Sequence, residues 1–177
     1  MKHWIHRLVA VSVSLAFGAH LFAGELSNRR APGFSLPDVN LKQHDPQDYR
    51  GRVLIIELMK SDCAVCKYTA KLLTQAQQKY GEKIAVLGIA LPPDNLNTVK
   101  AFIDAEKITN PILFDCGQVT ASYLKVSPAR PRIELPHVFV IDPAGQIRED
   151  WGSENTMQTL QELSAVVDRL LAEKPRP

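Results

Sequence analysis

The feature that most constrains this chain is a pair of long apolar runs separated by a helical pattern. Residues 52–59 carry Val53, Leu54, Ile55, Ile56, Leu58 and Met59, interrupted only by Glu57, and residues 84–91 form a second such run. A strand that is apolar on both faces has to be covered on both, which is the pattern of a buried strand in a mostly parallel sheet. Between the runs, residues 63–80 place Ala70, Leu72, Leu73, Ala76 and Tyr80 at helical spacing and stop at Gly81. Strand, helix and strand in that order predict an α/β fold with a central sheet of about five strands flanked by helices.

The rest of the chain extends this unit. Asp94 or Asn95 caps a predicted helix through Ala105. A short strand at 112–114 and a short helix at 117–124 follow. Residues 127–136 hold Pro128, Pro131 and Pro136 together with Arg130, Arg132 and Glu134, a density of proline that forbids a helix and predicts a loop. Residues 137–142 read as a strand, 143–145 as a turn, and 146–151 as its antiparallel partner ending at Trp151, which is expected to cap the core. Met157, Leu160, Leu163, Val166, Val167, Leu170 and Leu171 give residues 152–172 the stripe of a closing helix. Residues 24–30 are mostly polar and expected to be flexible. Residues 31–37 are expected to lay a short strand or hairpin on the core. No internal repeat or second domain is evident, and the core-forming domain is assigned to 24–172, with a tail at 173–177.

Charge separates the first 23 residues from the rest. The 177 residues hold 21 basic and 19 acidic side chains, and both excess positives, Lys2 and Arg7, lie in the first 23 positions, where there is no acid. The body is neutral, which removes the electrostatic case for nucleic acid. A basic start followed by the apolar stretch 8–23 reads as a signal peptide cut near Ala23 or Gly24, or as a retained N-terminal anchor. Either one places the body in a periplasmic or other extracytoplasmic compartment, where disulfides persist. Contact with a membrane is expected only through that anchor.

Three cysteines are too few to staple a small disulfide-rich scaffold. Two of them, Cys63-Ala64-Val65-Cys66, fall where the first buried strand gives way to its helix. A helix N-terminus offers free N–H groups and partial positive charge, so a thiolate at Cys63 is stabilised there. Cys66, one turn on, faces inward and can attack a mixed disulfide. Lys60 and Lys67 flank the pair and would favour a thiolate if they point at it. The alternatives are a structural disulfide, weak in so short a loop, or a metal site completed by Cys116 and His137.

The pattern of strand, Cys-x-x-Cys, helix and a distant Leu135-Pro136 before an apolar strand resembles the thioredoxin fold. The stretch Ala-Pro-Gly-Phe-Ser-Leu-Pro at 31–37, the insertion at 112–124 and the Phe-Val-Ile-Asp-Pro-Ala-Gly hairpin at 139–145 are similar to the TlpA/ResA-like branch, of redoxin or AhpC/TSA type. The resemblance spans roughly 32–171. It implies a three-layer sandwich around a mixed sheet, with an N-terminal hairpin extension and no cofactor or resident metal. It implies a secreted or membrane-anchored thiol–disulfide oxidoreductase, with protein disulfides or dithiols as substrates and a membrane or periplasmic electron donor as partner. An apocytochrome is one such substrate.

Carried over by position, Cys63 is the nucleophile, Cys66 the resolving thiol, and Glu57 a buried acid that relays the proton of Cys66, its pKa raised by burial. Leu135 and Pro136 form a cis-proline edge on which an extended substrate pairs. For Glu57 the alternative is an edge carboxylate paired with a base, and for Pro136 an ordinary trans loop proline. His137 is expected to be structural, and Cys116 buried and inert. Arg130 and Arg132 either line a partner surface or are solvated. The chain departs from the branch at Asp62, where tryptophan is usual, at Ala64-Val65, where proline is usual, and at Thr69, where many members have glutamate. Two rival functions share the fold. A peroxide reductase would need threonine or serine where Lys60 stands, and a copper assembly factor of Sco type would space its cysteines by three residues.

Overall fold

The two apolar runs become neighbouring strands at the centre of the molecule. The computed structural model describes residues 25–153, 157 and 159–173. Its strands are β1 (Arg29–Arg30), β2 (Leu36–Pro37), β3 (Gln43–His44), β4 (Val53–Met59), β5 (Ile84–Ala90), β6 (Ile112–Phe114), β7 (His137–Ile141) and β8 (Gln146–Trp151). Its helices are α1 (Ala64–Tyr80), α2 (Leu96–Glu106), α3 (Gln118–Leu124) and α4 (Leu160–Ala172). Among the described residues, six strands form one sheet in the order β1-β8-β7-β4-β5-β6, and β2 with β3 forms a separate hairpin. β4 runs parallel to β5 and antiparallel to β7, so the sheet is mixed.

Every residue of β4 and β5 is buried, as apolar character on both faces demands. Leu54, Ile56 and Leu58 share one face with Leu87, Ile89, Phe139 and Ile141, and are covered by α3 and the N-terminal extension through Tyr123, Phe34 and Leu36. Val53 and Ile55 share the other face with Val138 and Val140, and are covered by α1 and α4 through Leu73, Ala76, Leu163 and Val167. Toward the C-terminal ends of β4 and β5, Met59, Ala90 and Ile112 meet Cys66 and Ala70 of α1 and Val99 and Phe102 of α2. The result is a three-layer sandwich.

Four expectations are corrected. The segment at 24–30 is tied down over its described part. Leu26 is buried, its N–H donates to Asp150 Oδ2 at 3.2 Å, and the N–H of Asn28 donates to the carbonyl of Ile147 at 2.8 Å. An edge strand leaves a row of unpaired backbone groups, and β1 pairs with β8 at its start, Gln146 and Ile147. The sheet therefore has six strands among the described residues, where about five were expected. The last helix begins at Leu160, with Thr159 Oγ1 accepting from the Glu162 N–H at 3.2 Å, and not at Gly152. Glu173, counted with the tail, is held by two hydrogen bonds from Arg148, at 2.6 and 2.9 Å. The expected signal or anchor at 1–23 and residues 174–177 lie outside the described residues. No helix of the described residues is long and apolar enough to cross a membrane.

Candidate active site

β4 delivers the site. Its central position and full burial fix the backbone up to Met59, and the chain then turns through Lys60, Ser61 and Asp62 into α1. That turn is anchored from the next crossover. Asp94 Oδ2 accepts the Ser61 N–H at 2.7 Å, and Asp94 Oδ1 accepts the Ser61 hydroxyl as well as that of Thr98 at 2.9 Å. Asp94 thus serves the cysteine turn, while Asn95 caps α2.

Cys63 is the N-cap of α1. Its Sγ accepts the N–H of Cys66 at 3.1 Å, so the sulfur lies against the donor end of the helix, where negative charge is stabilised. Cys63 and Cys66 are disulfide-bonded, with Cα atoms 5.2 Å apart. Cys63 is half-buried and Cys66 is fully buried. Cys63 is therefore the accessible member of the pair and Cys66 the enclosed one. Asp62 and Tyr68 are exposed. Lys67 stands 3.9 Å from Glu106, which also holds Lys71 at 2.5 Å. The hydrogen bond from Lys71 keeps the Glu106 carboxyl below its usual value. Of the two flanking lysines, Lys67 pairs with Glu106, and Lys60 lines a neighbouring groove.

Glu57 lies on the α1 side of the sheet, because alternate residues of a strand share a face and Ile55 and Met59 point that way. Its cross-strand neighbours are Gly88 on β5 and Val138 on β7. It is 1 % exposed, and its Oε1 has no hydrogen-bond partner. Burial pushes the carboxyl pKa well above its ordinary 4.5. The edge-carboxylate alternative, with a lysine or arginine as partner, is not what the structure shows.

Pro136 is buried, and its bond to Leu135 is cis. The antiparallel register sets Leu58 opposite His137, so the start of β7 lies beside the end of β4 and brings Leu135 and Pro136 to the cysteine end of the sheet. Leu135 packs against the cluster that contains Cys66, and Cys63 does the same. Beside it runs a groove of about 330 Å3, mostly apolar, whose walls include Lys60, Leu91, Pro92, Thr120, Ile133 and Leu135. A second cis bond, Pro92-Pro93, sits in that wall; the sequence reading passed over it.

The remaining candidates fall elsewhere. His137 is on the face opposite α1, stacked on Phe139 with ring centroids 4.6 Å apart, and its Nε2 is 3.8 Å from Asp150 Oδ2. Cys116 is exposed, which corrects the expectation of a buried thiol. β6 has only three residues, and the chain leaves the core before α3 begins. Arg132 is exposed, and Arg130 is exposed and pairs with Glu25. Trp151 is half-buried against the α1–α4 layer. Two further features were not expected from the sequence. Gly88 is the residue opposite Glu57, and Asn110 has a buried carboxamide oxygen without a partner. A glycine inside an apolar run was the only available signal for the first, and nothing local marks the second.

A sandwich of this topology with a half-exposed and a buried cysteine at the tip of its first long helix defines the thioredoxin-type thiol–disulfide oxidoreductases. The profile of the AhpC/TSA family matches residues 28–150, and the chain belongs to that family. Among curated proteins, the thiol-disulfide oxidoreductase ResA of Bacillus cereus (strain ATCC 10987 / NRS 248) is 26 % identical over 163 residues, covering 88 % of this chain and 90 % of its own. The thioredoxin-like protein YneN of Bacillus subtilis (strain 168) is 23 % identical over 158 residues, covering 84 % and 89 %. Among solved structures, a thiol:disulfide interchange protein of Chlorobium tepidum TLS superposes with a TM-score of 0.71 at 19 % identity, covering 81 % of this chain and 97 % of its own. A secreted disulfide oxidoreductase of Mycobacterium tuberculosis superposes with a TM-score of 0.63 at 17 % identity, covering 77 % and 96 %. The last two likenesses carry the fold.

Proposed function

We propose that this chain exchanges disulfides with protein substrates outside the cytoplasm, with Cys63 as nucleophile, Cys66 as resolving thiol and Glu57 as the acid–base group. The observation that carries the reading is the asymmetry of the pair: one cysteine partly exposed at a helix tip, its partner fully buried one turn below. In the reducing direction the Cys63 thiolate attacks a substrate disulfide. A mixed disulfide forms and one substrate sulfur leaves as thiolate. Cys66 then gives its proton to the Glu57 carboxylate and attacks Cys63 Sγ. The second substrate thiolate leaves, and the Cys63–Cys66 disulfide closes. Two electrons have passed to the substrate, and an external dithiol donor restores the pair.

The groove beside Leu135 supports a polypeptide as substrate. It offers apolar walls for a side chain and a cis-proline edge for main-chain pairing. The basic and apolar first 23 residues support export, as does the likeness to a secreted oxidoreductase. Two variants test the assignment. Cys63→Ser abolishes disulfide reductase activity, and Cys66→Ser accumulates a substrate as a mixed disulfide, identified by mass spectrometry. Wild-type turnover by Cys63→Ser overturns the reading.

A further inference from the structure

Beneath α1, at the level of Glu57, lies a small cavity of about 10 Å3. Glu57 and Asn110 both line it, and both have a buried oxygen without a hydrogen-bond partner, Glu57 Oε1 and Asn110 Oδ1. Asn110 is 7 % exposed, and its Nδ2 is already committed to Thr74 Oγ1 at 3.1 Å, which fixes the carboxamide and leaves the oxygen as the free end. Two unpaired acceptors on one small cavity are costly unless a donor stands between them. The volume accommodates one water, and such a site needs at least two polar partners.

We propose that this cavity binds a single structural water bridging the Glu57 carboxyl and Asn110 Oδ1, which makes Asn110 the positioning residue for the proton of Glu57. The inference rests on the reading of Glu57 as the acid–base group of the cysteine pair. A water is the one neutral ligand that serves both protonation states. It donates to both oxygens when Glu57 is ionised, and accepts from the carboxyl while donating to Asn110 when Glu57 is protonated. The other walls come from Met59 on β4, Val86 and Gly88 on β5, Ala70 and Leu73 on α1, and the segment 108–112. None of these residues is charged, and Glu57 is the one titratable group among them. Cys66, titratable once reduced, stands one turn from Ala70 on the same face of α1 and belongs to the cluster of Met59 and Ala70. The water therefore eases ionisation of Glu57 at the moment Cys66 has a proton to give.

Gly88 keeps the space open. A Cβ at that position would lie 3.2 Å from Ile112 Cγ1 and 3.7 Å from Met59 Sδ, both on the cavity wall. Two variants of the full-length chain thus attack the water in different ways: Asn110→Leu removes an anchor, and Gly88→Ala narrows the cavity without touching the side chains of Asn110 or Thr74.

The experiment is infrared difference spectroscopy between the oxidised and reduced protein, with Glu57→Gln to assign the carboxyl band, together with the pH profile of mixed-disulfide resolution. Both variants are expected to move the Glu57 carbonyl stretch to higher frequency, as a hydrogen bond is lost. They are expected to move the acid limb of the profile upward by about one pH unit, the worth of one such bond. A Glu57 band present in the wild type and unmoved in both variants, with an unmoved profile, overturns the water bridge and leaves the thiol–disulfide reading standing. Absence of any redox-linked Glu57 band in the wild type overturns the bridge together with the acid–base role of Glu57, and leaves the cysteine chemistry to the Cys63→Ser test. A high-resolution crystal structure of the wild type puts the question without a variant: density within hydrogen-bond distance of both oxygens supports the bridge, and a dry cavity overturns it.

Discussion

A carboxyl group taken out of water holds its proton to higher pH, and Glu57 sits among apolar walls with one carboxamide for polar company. The folded chain therefore binds this proton more tightly than the unfolded chain, where the ordinary value of 4.5 applies. Its stabilising share is complete below that value and is lost as pH rises toward the folded value. Glu57→Gln is expected to remove this loss, so that the gap in urea midpoint between variant and wild type widens in the variant's favour above the ordinary carboxyl pKa. The slope can reach about 1.4 kcal/mol per pH unit for one group. Parallel stability curves would show that the carboxyl does not titrate between the two states. Asp38 behaves in the opposite sense. Burial alone would raise it, but hydrogen bonds from His44 and from the N–H groups of Asn40 and Lys42 hold it below its ordinary value, so its contribution fades as pH falls. The burial of Glu57 was legible because a lone acid inside an apolar strand has nowhere else to go. The exposure of Cys116 was not, because it depends on how the chain leaves a strand too short to announce its end.

At the scale of elements, periodicity carried β4, β5 and α1, whose apolar patterns are long and whose stop at Gly81, with φ 56°, needs a left-handed residue. What periodicity could not show is the clasp between two crossovers. Asp94 gathers the Ser61 N–H, the Ser61 hydroxyl and the Thr98 hydroxyl, and so couples the turn before Cys63 to the start of α2. The sequence offered Asp94 only as a rival cap to Asn95, since a partner 33 residues away leaves no local trace. Asp94→Ala is expected to cost about 1–2 kcal/mol and to raise the alkylation rate of reduced Cys63 as the turn loosens, read by urea denaturation and by thiol trapping. An unchanged midpoint with unchanged trapping would show that the clasp holds nothing.

For the molecule as a whole, the described N-terminal extension behaves as part of the sandwich. Arg29 reaches the carbonyls of Leu26 and Tyr123, the Tyr123 hydroxyl donates to Pro32 at 2.9 Å, and Asp150 holds Leu26. Removing residues 1–30 is expected to lower the melting temperature and to expose the β8 edge, giving concentration-dependent association in size-exclusion chromatography. A monomer of unchanged melting temperature would show that β1 is dispensable. Composition reads this segment as loose because its anchors belong to β8 and α3, more than ninety positions downstream. The placement of the groove has a further consequence. The cysteines hang from a central strand, whereas the neighbouring wall is supplied by α3 and its flanks, by Ile133 and Leu135 of the proline-rich loop, and by Leu91 and Pro92 just after β5. On the proposed reading of the groove, side chains that would select a substrate can change without disturbing β4 or the sulfurs it carries.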